Sequence, residues 1–129
     1  MIGWQCHTEF LMNPFELKQR TMRFAVRLLK FADALPGKPS GRAIANQVAR
    51  SGTSVAANYR AALRAKSRAD FINKITTVLE EADETTFWIE LTELAGLLSA
   101  KRLGALRTEA EELTKIFNAT RMTARNHNS

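Results

Sequence analysis

Apolar residues recur along most of this chain at alternating steps of four and three. Leu17, Thr21, Phe24, Leu28, Phe31 and Leu35 form the first series, and Ile44, Val48, Ser51, Val55, Asn58 and Ala62 the second. Ile72, Ile75, Leu79, Ala82, Thr86 and Ile89 form the third, and Leu103, Leu106, Ala110, Leu113 and Phe117 the fourth. This spacing keeps one stripe of a helix turned toward a partner, so each series predicts an amphipathic helix with a buried seam. No strand-like alternation competes with them.

The punctuation agrees. Asn13 can cap the first helix, Pro14 suits its first position, and Glu16 completes a capping-box-like pattern. Pro36-Gly37-Lys38-Pro39 ends it in a turn. Ser40 is the expected cap of the second helix, Ser67 with Asp70 of the third, and Ser99 of the fourth, with Gly96 and Ser99 marking the end of the third. Arg50 is followed by a run of small residues, Ser51-Gly52-Thr53-Ser54. Gly52 costs about 1 kcal/mol of helix propensity relative to alanine, which makes sense where another helix packs close. Asn58, on the seam, needs hydrogen-bond partners if buried. The expected fold is all-α, an antiparallel up-and-down four-helix bundle over residues 13–121, with tails at 1–12 and 122–129.

Composition narrows the class. A chain of 129 residues suits one domain, and three prolines and six glycines disfavour a turn-rich β fold. The single cysteine, Cys6, excludes an internal disulfide and fits a reducing compartment. No stretch reaches the ~18 apolar residues of a membrane span, and the N-terminus has no secretion-signal pattern. The expected location is cytoplasmic, without a membrane partner. The histidines, His7 and His127, lie in the terminal tails. No metal site and no cofactor is expected: Cys6-His7 lacks further ligands at zinc spacing. Arg121 and His127 have five intervening residues, the wrong spacing for an Arg-x4-His helical nuclease.

Charge is unevenly spread. The net charge is +6, but residues 1–70 carry +8 and residues 71–129 carry −2. At 100° per residue, Arg20, Arg23, Arg27 and Lys30 share an arc of about 80° on the first helix, as do Arg42, Arg50, Arg60 and Arg64 on the second. Together with Arg68, two such stripes on neighbouring helices could form one phosphate-tracking surface. Arginine's fork suits phosphate, and Tyr59 is the nearby candidate for base stacking. Backbone contact with RNA or DNA is expected rather than base readout. A merely solvated basic face is the alternative.

The third helix is apolar nearly all round in its C-terminal half. Phe87, Leu91, Leu94 and Leu98, with Trp88 at the edge, form a strip off the seam. A bundle helix needs one stripe; a second predicts a homo-oligomer interface or, alternatively, a wide core face. Glu80, Glu81, Asp83 and Glu84 cluster on the same helix and are expected to pair with arginines rather than to catalyse.

Several spaced blocks carry a resemblance. Gln47-Val-Ala-Arg50-Ser51-Gly-Thr-Ser54-Val-Ala-Ala-Asn58-Tyr59-Arg60, Arg64-Ala-Lys66-Ser67-Arg68-Ala-Asp70-Phe71, Glu81-Ala-Asp-Glu84-Thr85-Thr-Phe87-Trp88-Ile-Glu90-Leu91 and Arg20-Thr21-Met-Arg-Phe24-Ala25 resemble the small four-helix bundle proteins encoded in intervening sequences of bacterial 23S rRNA genes. The resemblance covers residues 13–120. It implies a ring-like homopentamer with a basic surface. It extends to the accessory variability proteins of diversity-generating retroelements, which bind nucleic acid and partner a reverse transcriptase. It marks Gln47, Arg50, Ser54, Asn58, Glu84 and Trp88 as signature positions of structural or assembly type. Many relatives carry a glutamate soon after the Asn58 position, where this chain has Arg60, Ala61 and Ala62; any contact of that carboxylate is absent here, and the face is more basic. The expected function is a non-enzymatic, nucleic-acid-binding homo-oligomer. The rivals are a protein-interaction adaptor that binds no nucleic acid and, more distantly, a ribonuclease.

Overall fold

The computed structural model describes residues 12–126. The tail before Met12, with Cys6 and His7, and His127 lie outside the described residues. Within them the chain forms four helices: α1 Pro14–Ala34, α2 Pro39–Ala62, α3 Arg68–Leu94 and α4 Ala100–Asn126. There is no strand among the described residues. Consecutive helices pack closely on one another, as short connections in an up-and-down bundle require.

Local chemistry sets the ends. Asn13 Oδ1 accepts the Glu16 amide at 2.8 Å, and Pro14 fills the first turn of α1, where no amide hydrogen is needed. Ser67 Oγ accepts the Asp70 amide at 3.0 Å at the head of α3. α2 departs from the expectation. Ser40 does not cap it; the helix starts at Pro39, with Lys38 as its cap and no side-chain cap bond. The fixed φ of proline already fits a helix start, so the helix begins before the serine. At the end of α3, Gly96 takes φ +69°. Its amide donates to Glu93 O, and the Leu97 amide donates to Thr92 O at 3.1 Å. This is a Schellman closure, which needs the left-handed residue that glycine supplies cheaply.

The core seams of α1 and α4 match the 4-3 spacing at every position. That of α2 matches except at Asn58, which is half-buried; there Tyr59 goes inside instead. Asn58 Nδ2 donates to Ser54 O and Ser54 Oγ, so its amide is satisfied within its own helix. The seam of α3 differs more. Phe71, Ile75, Val78, Ala82, Thr85, Ile89 and Thr92 are buried, whereas Ile72, Leu79 and Thr86 are only half-buried. Two neighbouring registers are almost equally apolar on this helix, and hydrogen bonding selects between them. Thr85 Oγ1 lies 2.8 Å from the buried Ser51 Oγ and donates to Glu81 O, so two hydroxyls are satisfied at the α2–α3 contact. The small patch on α2 does admit a close neighbour. A Cβ at Gly52 would lie 3.0 Å from Leu28 Cβ and well inside contact with Leu28 Cδ1.

α4 runs five residues beyond 121, where the polar sequence suggests fraying. Thr120 and Ala124 are buried on its inner face, which continues the 4-3 spacing past Phe117 and holds the last turns.

Candidate nucleic-acid interface and assembly face

The basic residues divide into those that hold the bundle together and those that do not. Arg20 on α1 makes a two-pronged pair with Glu109 on α4, Nε–Oε2 at 2.8 Å and Nη2–Oε1 at 2.6 Å, with Glu112 at 3.7 Å. The Glu109 bond, working against burial, holds the guanidinium above its ordinary pKa. Bidentate, partly buried geometry of this kind orients two helices. Arg50 on α2 reaches Glu81 at 3.0 Å and also Glu84 on α3, with Gln47 Oε1 accepting from its Nε. Trp88 Nε1 donates to the same Glu84 at 3.0 Å. Four signature positions, Gln47, Arg50, Glu84 and Trp88, thus fall into one α2–α3 cluster, and the other two, Ser54 and Asn58, bond to each other.

The two basic stripes do not merge into one surface. The stripe on α1 borders α4: Arg20 pairs there, and Arg27 and Lys30 rim a cleft of about 260 Å³ shared with Arg102 and floored by Leu103 and Leu106. The stripe on α2 borders α3: Arg50 pairs there, and Arg60 and Arg64 line a groove of about 400 Å³ with Lys66, Asp70 and Lys74. α4 and α3 flank opposite sides of the α1–α2 pair, so equal angular spread on two helices gives two separate basic edges. Arg42 turns to the Gly37 carbonyl at 2.7 Å. Among the described residues, Arg23, Arg27, Lys30, Arg60 and Arg64 make no ion pair; Arg68 is engaged in a contact of its own.

Tyr59 is not available for stacking on a base. It is 1% exposed, packs on Phe117 with ring centroids 5.4 Å apart, and burial pushes its phenol above the ordinary range. The volume of its ring drew it inward at a position one residue from the expected seam.

The clustered acids of α3 do pair with arginine in part: Glu81 and Glu84 with Arg50, while Glu90 and Glu93 meet Arg107 of α4. Asp70 binds Lys74 at 2.5 Å and accepts the Lys66 amide, which together hold its carboxyl below the ordinary value.

The extra strip on α3 is uneven. Phe87 is 53% and Leu94 84% exposed. Trp88 and Leu91 are half-buried against the core, so they serve the protomer as well; Leu98 is not on the helix, because α3 ends at Leu94 and closes through Gly96, and it lines the α1–α4 cleft instead. Phe87 meets Trp88 edge to face at 4.8 Å. A second strip went unnoticed in the sequence. Phe15, Met22, Val26 and Leu29 on α1 are exposed, Phe15 at 65%. Their steps of seven, four and three place them on one line opposite the core seam; that spacing was the available signal.

Two findings place the chain among known proteins. A family model described as 23S rRNA-intervening sequence protein matches residues 14–119. A crystal structure of a protein with unknown function from the S23 ribosomal protein family of Bacteroides thetaiotaomicron superposes with a TM-score of 0.79 at 32% identity, covering 84% of this chain and 97% of that one. No curated protein matches. Among the described residues, no helix is long and apolar enough to cross a membrane.

Proposed function

This chain belongs to the 23S rRNA-intervening sequence protein family, and from that membership and its surface we propose that it binds nucleic acid through the phosphate backbone. It acts as a homo-oligomer and by binding rather than catalysis. One observation carries the reading: among the described residues, Arg60 and Arg64 make no ion pair and stand beside Lys66 and Lys74, with Asp70 the single acid lining their groove. Such a groove offers forked donors to phosphate oxygens. The α1–α4 cleft, with Arg27, Lys30 and Arg102, is a second contact of the same type. The exposed Phe87 and Leu94 support self-association through α3. The engagement of Glu81 and Glu84 with Arg50 supports a structural use of the acidic cluster. A reverse transcriptase as partner, implied by the similarity to accessory variability proteins, belongs to the same proposal; a reverse-transcriptase gene beside this one would support it.

The test is fluorescence anisotropy with labelled single-stranded and duplex RNA and DNA over a salt series. Binding should weaken with salt, with a log-log slope of several units, at about −0.7 per phosphate contact on single strands. Arg60→Glu with Arg64→Glu should weaken binding at least tenfold and flatten that slope by about 1.4 units. Absence of binding at low salt would favour the adaptor reading. Unchanged affinity in the double variant would place the contact elsewhere.

A further inference from the structure

We propose that the cleft between the last turns of α1 and the first turns of α4 holds the terminal phosphate monoester of a nucleic-acid strand, with the uncharged body of the end nucleotide on its apolar floor. The inference deepens the nucleic-acid reading above and rests on it.

The α1–α4 contact has a register. Arg20 pairs with Glu109 across it, and neighbouring helices of an up-and-down bundle run antiparallel. A step of two turns forward on α1 therefore matches a step of two turns back on α4. The residues there are Arg27 and Arg102, and both line the cleft. The seam that closes on an ion pair at Arg20 thus sets two guanidiniums against each other at its end. Lys30 joins them, and no acid is among the lining residues. Among the described residues, none of these three cations makes an ion pair. Asp33, the nearest acid along α1, lies roughly 110° round the helix from the cleft-facing Arg27, Lys30, Phe31 and Ala34. Arg102 also stands in the first turn of α4, which contains no acid and whose positive end disfavours a cation. Cations so placed destabilise the bundle until an anion joins them.

Their arrangement selects the anion. Three cations from two helices converge on one cleft of about 260 Å³. A phosphate monoester carries about −1.5 to −2 charges at neutral pH and three acceptor oxygens. An internal phosphodiester carries a single charge, and its neighbours must be met further along. The seam does not meet them: toward the middle of the bundle it continues to Glu109 and exposed Glu112, both beside Arg20, and the other way it ends at the loops after α1 and before α4. The exit that remains leads over α1, where Arg23 shares a shallow groove with Arg27. A strand can end here but cannot run along the seam. The floor, with Phe31, Leu98, Leu103 and Leu106, argues against a bare inorganic ion. Ligand sites combine such apolar lining with a few placed polar groups, and a cleft of this size suits one nucleotide.

Isothermal titration calorimetry on the full chain tests this, using one single-stranded oligonucleotide with a phosphate at its 5′ end, at its 3′ end, or with hydroxyls at both. A phosphate at one of the two ends should tighten binding by about tenfold or more over the hydroxyl-ended strand. Arg102→Glu should remove that gain and also raise the urea midpoint, because it gives Arg27 the kind of partner that Arg20 has in Glu109. Weaker binding by a more stable protein separates a ligand site from damage to the fold. Should Arg102→Glu misfold, Arg27→Ala with Lys30→Ala should remove the same gain. Arg60→Glu with Arg64→Glu should weaken all three strands and keep their ratio. A free nucleoside monophosphate should bind more weakly than the phosphate-ended strand, since it lacks the contacts of the remaining chain; equal affinity would overturn the strand as the source of the phosphate. If the three strands bind alike, or the gain survives Arg102→Glu, the cleft does not hold a strand end while nucleic-acid binding stands. If no strand binds at low salt, both fall.

Discussion

Replacing Gly52 by alanine sets two known effects against each other. On an isolated helix the change gains about 1 kcal/mol of propensity. In this bundle the new methyl enters a space already filled by Leu28, which is fully buried. It would stand 3.0 Å from Leu28 Cβ and 3.1 Å from Cγ. The Cδ1 methyl could turn aside, but Cβ moves only with the α1 backbone, so the two helices must separate. Overfilling a packed core typically costs about 1–3 kcal/mol, and the rigid Cβ contact puts this case in the upper half. Net destabilisation of about 1–2 kcal/mol is expected, read as a lower urea midpoint at unchanged slope. Leu28→Ala alone should cost about 2–5 kcal/mol. In that background the clashes with Cγ and Cδ1 are gone and only the 3.0 Å contact with the position-28 Cβ is left, so most of the cost of Gly52→Ala should disappear. The coupling between the sites should fall within about 0.5–3 kcal/mol. A stabilised Gly52→Ala, or one whose cost is the same with and without Leu28, would refute close helix packing as the reason for this glycine.

Two other outcomes follow from the polar contacts. Arg20→Ala should destabilise the bundle by about 2 kcal/mol, since it strands Glu109 in a mostly buried pair, whereas exposed Arg23→Ala should stay within about 0.5 kcal/mol; chemical denaturation separates them, and equal effects would contradict the division of cations. Asp70 sits below its ordinary value of 3.8 in the folded chain, so its contribution is present above that value and is lost as pH falls through the lower folded one. Asp70→Asn should therefore lower stability near neutrality and make the decline between about pH 5 and pH 2 shallower; parallel acid curves for the two proteins would rule out that role.

The seams, the caps at Asn13 and Ser67 and the close approach at Gly52 could be read directly because each is a local pattern with one dominant cause. The series from Leu17 to Leu35 is an unbroken 4-3 spacing, whereas the other apolar strip of α1, Phe15 to Leu29, is interrupted at Gln19, so the first faces inward. α3 lacked that contrast. With apolar residues around its circumference, burial alone could not choose between Ile72–Leu79–Thr86 and Phe71–Val78–Thr85, and the choice fell to a hydroxyl on another helix, Ser51. The role of Arg20 was hidden for the same reason. Helical spacing gives its angle on α1 but not that Glu109, 89 residues on, stands across from it. Angles on separate helices also say nothing about whether two stripes share a side, which is how Arg27 and Arg64 came to lie on opposite edges. The strip Phe15–Leu29 needed only spacing, but four residues at steps of seven, four and three are easily overlooked beside a stronger seam on the same helix.

The separation of the cations bears on how binding and assembly coexist. A single basic surface spanning α1 and α2 would make the two compete wherever a second copy covered either helix. With the stripes on opposite edges, a copy that covered the α1 edge would leave Arg60 and Arg64 untouched on the α2–α3 side. Each added copy then brings another such groove, held at a fixed distance from the last. Several weak phosphate contacts fixed in one body bind a long strand far more tightly than any one does. A short groove with two free arginines, too small to hold a polyanion firmly alone, is therefore physically sensible in a protein that repeats it by self-association.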